Sequence, residues 1–339
     1  MKFPTKVLVC RNDHLGDLLL SLPAIQCLRQ ALPESEIGLL ARPQNLKLLN
    51  DFLKEHRILP VYPDMPVERG KWDVVLSLHS GFGLAARFFY NRIPIRVGTY
   101  SKLWSFVFFN IGKRQKRSRA AQGEGMYSLE LVQQLLLKLN VKMPAEIPTV
   151  VLPVGLKEAD LATQYLREIG IGDDSKFVVL HPGMAGSALN LHEKQYQEIV
   201  EKIFTQVNCL VSVGPSEQDR KIWNHLRRSF PGLKRIEGVE LSVLKEIFRK
   251  SRAVIAPSTG PLHLAHLVGV PVIGLYSPVQ SHHPRRWGPW GGTQKAAVHL
   301  PQVDCPGRKA CIGEVCREFN CMEKIDWASL ILKELDGLK

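Results

Sequence analysis

Val254-Ile255-Ala256-Pro257-Ser258-Thr259-Gly260-Pro261-Leu262-His263-Leu264-Ala265 runs from a short apolar strand through a turn of small residues straight into a helix. Pro261 suits the first helical turn, where its missing N–H sacrifices no hydrogen bond. Ser258 and Thr259 carry the short hydroxyls that cap free amides at a helix start. Those amides and the positive helix end attract an anion, so the stretch predicts a phosphate socket. Pro271-Val272-Ile273-Gly274-Leu275-Tyr276 reads as the next buried strand. The whole is a βαβ unit whose loop lies at the strand's carboxyl edge, where open α/β sheets bind ligands.

Outward from this unit the same plan appears twice. Apolar periodicity predicts strands at 6–10, 37–41 and 74–78, a helix at 16–32 and an apolar helical run at 83–90. After Gly170-Ile171-Gly172-Asp173-Asp174 it predicts strands at 177–181 and 209–213 and helices at 193–206, 217–230 and 241–250. Strands alternating with helices imply parallel sheets. A chain of 339 residues favours two domains. Pro144, Pro148 and Pro153 mark an extended linker, so the expected domains are 1–155 and 156–339, with the last helix free to pack back on the first. The expected fold is α/β, two facing Rossmann-like domains with parallel sheets and an interdomain cleft, a favoured place for small molecules.

Composition narrows the function. Hydrophobic residues make up 45% of the chain, enough to bury two cores, which excludes a disordered or fibrous protein. The apolar start Val7-Leu8-Val9-Cys10 is too short for a secretory segment, and no later run approaches a membrane span, so a cytoplasmic chain is expected. Lys and Arg total 45 against 32 Asp and Glu, a formal charge of +13 that points to nucleic acid, a phosphorylated small molecule or an acidic membrane face. No nucleic-acid motif accompanies the charge, which makes a nucleic-acid-binding module the weaker reading. Cys10, Cys27 and Cys209 sit in apolar stretches and read as core. Cys305, Cys311, Cys316 and Cys321 would suit tetrahedral zinc by type, yet they lack a Cys-x-x-Cys pair, so reduced cysteines in a packed loop are expected and no metal or cofactor.

Several loops carry candidate chemistry. In Arg11-Asn12-Asp13-His14-Leu15-Gly16-Asp17, Asp17 is either a carboxylate favoured in a first helical turn or a general base facing the cleft. On the second reading Arg11, His14 and Gly16 position an anionic acceptor. The small residues of His181-Pro182-Gly183-Met184-Ala185-Gly186-Ser187-Ala188 let backbone amides approach a ligand, although the full dinucleotide fingerprint is missing. Glu217 starts a helix or holds ribose hydroxyls; His263 packs as a core histidine or touches the anion. Lys102-Leu103-Trp104-Ser105-Phe106-Val107-Phe108-Phe109 leads into the basic run Lys113-Arg114-Gln115-Lys116-Arg117-Ser118-Arg119. That pattern suits a membrane interface, or else a core helix followed by a solvated loop. The first reading makes Lys113, Arg114 and Arg117 contacts to an anionic substrate at the membrane surface.

Gly16-Asp17 before an apolar helix with Pro23, His181-Pro182-Gly183 with Gly186-Ser187-Ala188, and Ser258-Thr259-Gly260-Pro261-Leu262-His263 together resemble the ADP-heptose:lipopolysaccharide heptosyltransferases, glycosyltransferase family nine. Arg96-Val97-Gly98 and Cys321-Met322 are similar as well. The resemblance implies a GT-B fold, inversion at the anomeric carbon without a catalytic metal, and a nucleotide sugar bound by the second domain. It implies that Asp17 is the base, that Ser187 and its loop, with Gly183, Gly186 and Ala188, contact the diphosphate, and that Glu217 contacts the nucleoside. Ser258, Thr259, Gly260, Pro261, Leu262 and His263 then form the donor loop. Leu189-Asn190-Leu191 stands where many members place a cation, which leaves Lys194, Arg285 or amides to neutralise the leaving group. The partners so implied are ADP-heptose and a lipopolysaccharide-core acceptor at the cytoplasmic face of the inner membrane, to which the protein would attach peripherally; by default a monomer is expected. The alternative is another nucleotide sugar in the same fold.

Overall fold

The computed structural model describes residues 4–79, 81–184, 186, 188–307 and 309–338. The chain divides into two compact units, Met1–Arg117 with Gln122–Pro153, and Ser118–Ala121 with Val154–Lys339. Each holds a six-stranded parallel sheet.

In the first unit the strands are β1 (Lys6–Arg11), β2 (Glu36–Leu40), β3 (Ile58–Val61), β4 (Val74–His79), β5 (Ile95–Thr99) and β6 (Ile111–Lys113), in the order β3-β2-β1-β4-β5-β6. Parallel strands covered by helices on both faces read as continuous apolar runs, and Val7, Leu8, Val9 and Cys10 are all fully buried. Helices Leu15–Ala31 and Glu124–Leu139 pack on each other, with Ser21 Oγ 3.1 Å from Ser128 Oγ at their contact.

In the second unit the strands are β7 (Phe177–Leu180), β8 (Asn208–Ser212), β9 (Lys234–Ile236), β10 (Ala253–Pro257), β11 (Val272–Leu275) and β12 (Ala296–His299), in the order β12-β11-β10-β7-β8-β9. The final helix, Trp327–Asp336, which the sequence left free to reach the first domain, packs on helix Glu193–Phe204 of its own unit. Trp327, Ile331 and Leu335 are buried there with Ile199 and Ile203. Burying each such side chain contributes about 1.5–3 kcal/mol. No helix among the described residues is long and apolar enough to cross a membrane.

Both sheets reverse direction once. The chain leaves β1 toward β2 and β3 and returns to β4 on the other side; it leaves β7 toward β8 and β9 and returns to β10. Loops at such switch points form the ligand crevices of open α/β sheets. They belong to β1 and β4 in one unit and to β7 and β10 in the other.

Candidate functional site

At the switch point of the first unit, β1 ends in Arg11, whose side chain is 0% exposed. A buried guanidinium needs carboxylates close by to offset its charge. Arg11 Nη2 donates to Asp17 Oδ1 at 2.8 Å and to Glu124 Oε1 at 3.1 Å, Nη1 donates to the Leu78 carbonyl at 3.1 Å, and Nε lies 3.1 Å from Asp13 Oδ1. The register between β1 and β4 shifts between Cys10 and Arg11, which pairs Arg11 with His79 at the carboxyl end of the two strands. Asp13 in turn stands 3.6 Å from His79 Nδ1. Arg117 closes the cluster: its Nη1 donates to Glu124 Oε1 at 2.6 Å, its Nε to Gln115, and its guanidinium lies over the Tyr127 ring.

Asp17 sits in the first turn of helix Leu15–Ala31 with its side chain 16% exposed. Burial raises its pKa to about 6, and Asp13 and Glu124 push the same way while Arg11 opposes them. The outcome is a carboxylate that still meets solvent and exchanges a proton near neutrality, which suits a general base.

Two expectations change here. Arg11 and Arg117 read as acceptor contacts from the sequence, but each spends its guanidinium inside the unit, Arg11 on Asp13, Asp17 and Glu124 and Arg117 on Glu124 and Gln115. Arg11 orients and tunes Asp17 instead, and Arg117 holds Glu124. His14 is exposed beside it, Gly16 lies in the same first turn, Lys113 pairs with Glu130 at 2.9 Å, and Arg114 is exposed. Glu124 and Asp13 went unnoticed in the sequence, since nothing local marks a carboxylate 113 positions from Arg11 as its partner.

In the second unit His181 N donates to the Ile255 carbonyl at 2.8 Å, tying the loop after β7 to β10, whose own exit is Ser258 and Thr259. His181 is buried with Nδ1 3.2 Å from Ser212 Oγ, and burial drives its pKa down to about 4, so it is neutral. Asp219 wedges between two loops. A Cβ on Gly183 would lie 2.1 Å from its Oδ1 and one on Gly214 2.4 Å from its Oδ2, so both positions admit only glycine while that carboxylate stays. Asp219 also completes a reciprocal cap with Ser216 at the start of helix Glu217–Ser229, and Glu217 itself is exposed. Gly186 takes φ +73°, a left-handed conformation open to glycine at little cost. Tyr196 braces this loop by donating to Asn190 Oδ1 at 2.8 Å, while Asn190 Nδ2 donates to the Pro182 carbonyl at 2.8 Å. Ser187 lies outside the described residues; Ala188 is half-buried in the loop, and Lys194 is exposed in the first turn of helix Glu193–Phe204.

Helix Gly260–Leu267 opens with Thr259 as its extended N-cap and Pro261 in its first turn. The hydroxyl caps expected from Ser258 and Thr259 do not form: no side chain caps this helix, and Thr259 Oγ1 donates instead to the Pro257 carbonyl at 3.2 Å. The opening amides are thereby left for an anion. Leu262, expected in the donor loop, is fully buried, backbone and side chain alike, behind the helix start. His263 is 3% exposed, its Nδ1 has no hydrogen-bond partner, and burial with nearby His266 lowers its pKa to about 3.

Elsewhere, Cys305, Cys311, Cys316 and Cys321 are all free and line one cavity with His192, Asn320 and Met322. Among the described residues no three His, Cys, Asp or Glu side chains are placed to hold a metal ion.

Comparison with known proteins bears on these loops. The model of glycosyltransferase family 9 (heptosyltransferase) matches residues 67–314. A putative glycosyltransferase of Haemophilus influenzae is 26% identical over 321 residues, covering 87% of this chain and 89% of its own. Among solved structures, the ADP-heptose lipopolysaccharide heptosyltransferase II of E. coli superposes with a TM-score of 0.75 at 16% identity, covering 98% of both chains. A family 9 glycosyltransferase from Veillonella parvula gives 0.75 at 17% over 98% of this chain and 97% of its own. The E. coli heptosyltransferase WaaC with ADP gives 0.67 at 15% over 98% and 100%.

Proposed function

Because the chain belongs to glycosyltransferase family 9, we propose that it transfers heptose from ADP-heptose to a phosphorylated, lipid-linked acceptor of the lipopolysaccharide inner core, with inversion and without a catalytic metal. The observation that carries the reading is Asp17, a partly buried carboxylate at the switch point of the first sheet with its pKa raised to about 6. Asp17 takes the proton of the acceptor hydroxyl as its oxygen bonds the anomeric carbon and the bond to ADP breaks. His14, Gly16, Lys113 and Arg114 hold the acceptor's anionic groups, and Arg11, sharing Glu124 with Arg117, positions the base.

The departing ADP gains negative charge, which preorganised donors stabilise. Uncapped amides at Thr259 and Gly260 and those of the loop at Gly183, Gly186 and Ala188 supply them, with Lys194 beside the second loop; Ser187 and Leu262 complete the two loops by sequence. Ser258, Pro261 and His263 shape the socket, and Glu217 takes ribose hydroxyls. The lobe of residues 1–155 serves the acceptor and that of 156–339 the donor, on the cytoplasmic face of the inner membrane.

A turnover assay with ADP-heptose and a panel of other nucleotide sugars, against extracted lipid acceptors, tests this. ADP-heptose should be the preferred donor. Turnover with another nucleotide sugar and none with ADP-heptose would overturn the donor assignment and leave the family intact.

A further inference from the structure

In the first unit, helix Phe82–Tyr90 buries Ala85, Ala86 and Phe88, and the short helix Ser105–Phe108 buries Ser105 and Phe108. Their other sides stay open: Leu103 is 90% exposed, Tyr90 75%, Val107 61%, Phe106 59% and Phe82 58%. These are not scattered residues. Phe82 meets Trp104 and Phe108 edge-on at 5.9 and 5.3 Å, Phe89 joins Phe108 at 5.6 Å and Tyr90 at 5.7 Å, and Tyr100 stacks on Phe106 at 4.6 Å. An apolar patch locked together in this way marks an interaction surface.

Charge identifies the partner. Residues 74–123 contain no Asp or Glu and nine Lys or Arg, and Arg92, Lys102, Arg114 and Lys116 are exposed. The partner is therefore anionic as well as apolar. Single-stranded nucleic acid would use the rings as stacking platforms. The most protruding side chains, however, include aliphatic Leu103 and Val107, which have no stacking face and fit hydrocarbon.

We propose that Phe82, Tyr90, Leu103, Phe106 and Val107 insert into the surface of an anionic lipid bilayer while the surrounding cations hold its headgroups. Rings of this kind settle at the headgroup level, and each nearby cation adds attraction to an anionic leaflet. The inference deepens the functional reading above and rests on a membrane-borne acceptor. Phe82 follows His79 by three residues, so the surface begins at the same sheet edge as the Asp13–Asp17 loop.

Co-sedimentation of the full chain with phosphatidylcholine vesicles, with and without phosphatidylglycerol, tests the proposal. The wild type should bind the anionic vesicles, and part of that binding should survive high salt. Leu103→Ser and Phe106→Ser should each weaken it about tenfold, the effect of withdrawing one large apolar side chain from hydrocarbon. Unchanged affinity for ADP will show that both variants are folded. Variants that bind vesicles like the wild type, a wild type that ignores them, a dimer dissolved by the same substitutions, or loss of oligonucleotide binding alone would each overturn the proposal. Vesicle binding without heptose transfer would sink the functional reading and leave this surface standing; transfer to detergent-dispersed acceptor without vesicle binding would do the reverse.

Discussion

Asp17→Asn separates catalysis from stability. The side chain is 16% exposed, and its pKa moves from 3.8 to about 6 on folding, chiefly through burial. A folded pKa above the unfolded one means that the native state holds the proton more tightly. The ionised carboxylate therefore costs stability progressively as pH rises from 3.8 toward 6, and the loss is complete above that. At about 1.36 kcal/mol per pH unit the full cost is about 3 kcal/mol. About 2 kcal/mol of it accrues between about pH 4.5 and 7.5, the range open to denaturation experiments. Asparagine keeps an oxygen for Arg11 Nη2 and carries no charge. Urea unfolding at both pH values should show the variant gaining on the wild type by that amount as pH rises. Its turnover, followed by ADP release, should fall roughly 10²- to 10⁴-fold, while wild-type kcat/KM should drop below about pH 6 as one proton binds. Near-normal turnover in the variant, or stabilities that run parallel across the range, would refute the argument.

Glu124→Gln removes a buried carboxylate that raises the pKa of Asp17 and shares Arg11 with it. The acid limb of the rate profile should move to lower pH, and because two arginines then balance two carboxylates, the protein should lose less than the about 3–5 kcal/mol that an unpaired buried charge costs; chemical denaturation and a pH-rate series read the two effects. Gly183→Ala puts a methyl 2.1 Å from Asp219 Oδ1, so the loop after β7 must shift. Calorimetry with ADP should show at least tenfold weaker binding, with turnover falling in step.

Much of the fold was legible because its central strands are buried on both faces. Val7-Leu8-Val9-Cys10 and Phe177-Val178-Val179-Leu180 can hardly be read otherwise, and helix Leu241–Lys250 appears with its expected bounds. The outer strands escaped notice. Ile111–Lys113 and Lys234–Ile236 have three residues each, too few for an alternation to register, and their basic side chains look like loop. Helix Glu124–Leu139 follows the basic run without a capping side chain to announce it. At the site, the sequence shows which loops leave the strands but not what each side chain touches. A buried arginine and an exposed one look alike in a string of letters, so Arg11 reads as a hand held out to substrate when it is clasped by three carboxylates. Thr259 has the chemistry of a cap, yet its hydroxyl donates back to the Pro257 carbonyl and caps nothing.

Counting formal charges around Arg11 shows what the first unit has built. Arg11 and Arg117 bring two positive charges to three carboxylates, Asp13, Asp17 and Glu124, so the ionised cluster carries one surplus negative charge in a poorly hydrated place. Accepting one proton on Asp17 cancels it. In the proposed reaction, taking a proton from a hydroxyl would thus bring this pocket to electroneutrality, and the return of that proton to water would restore its appetite for the next.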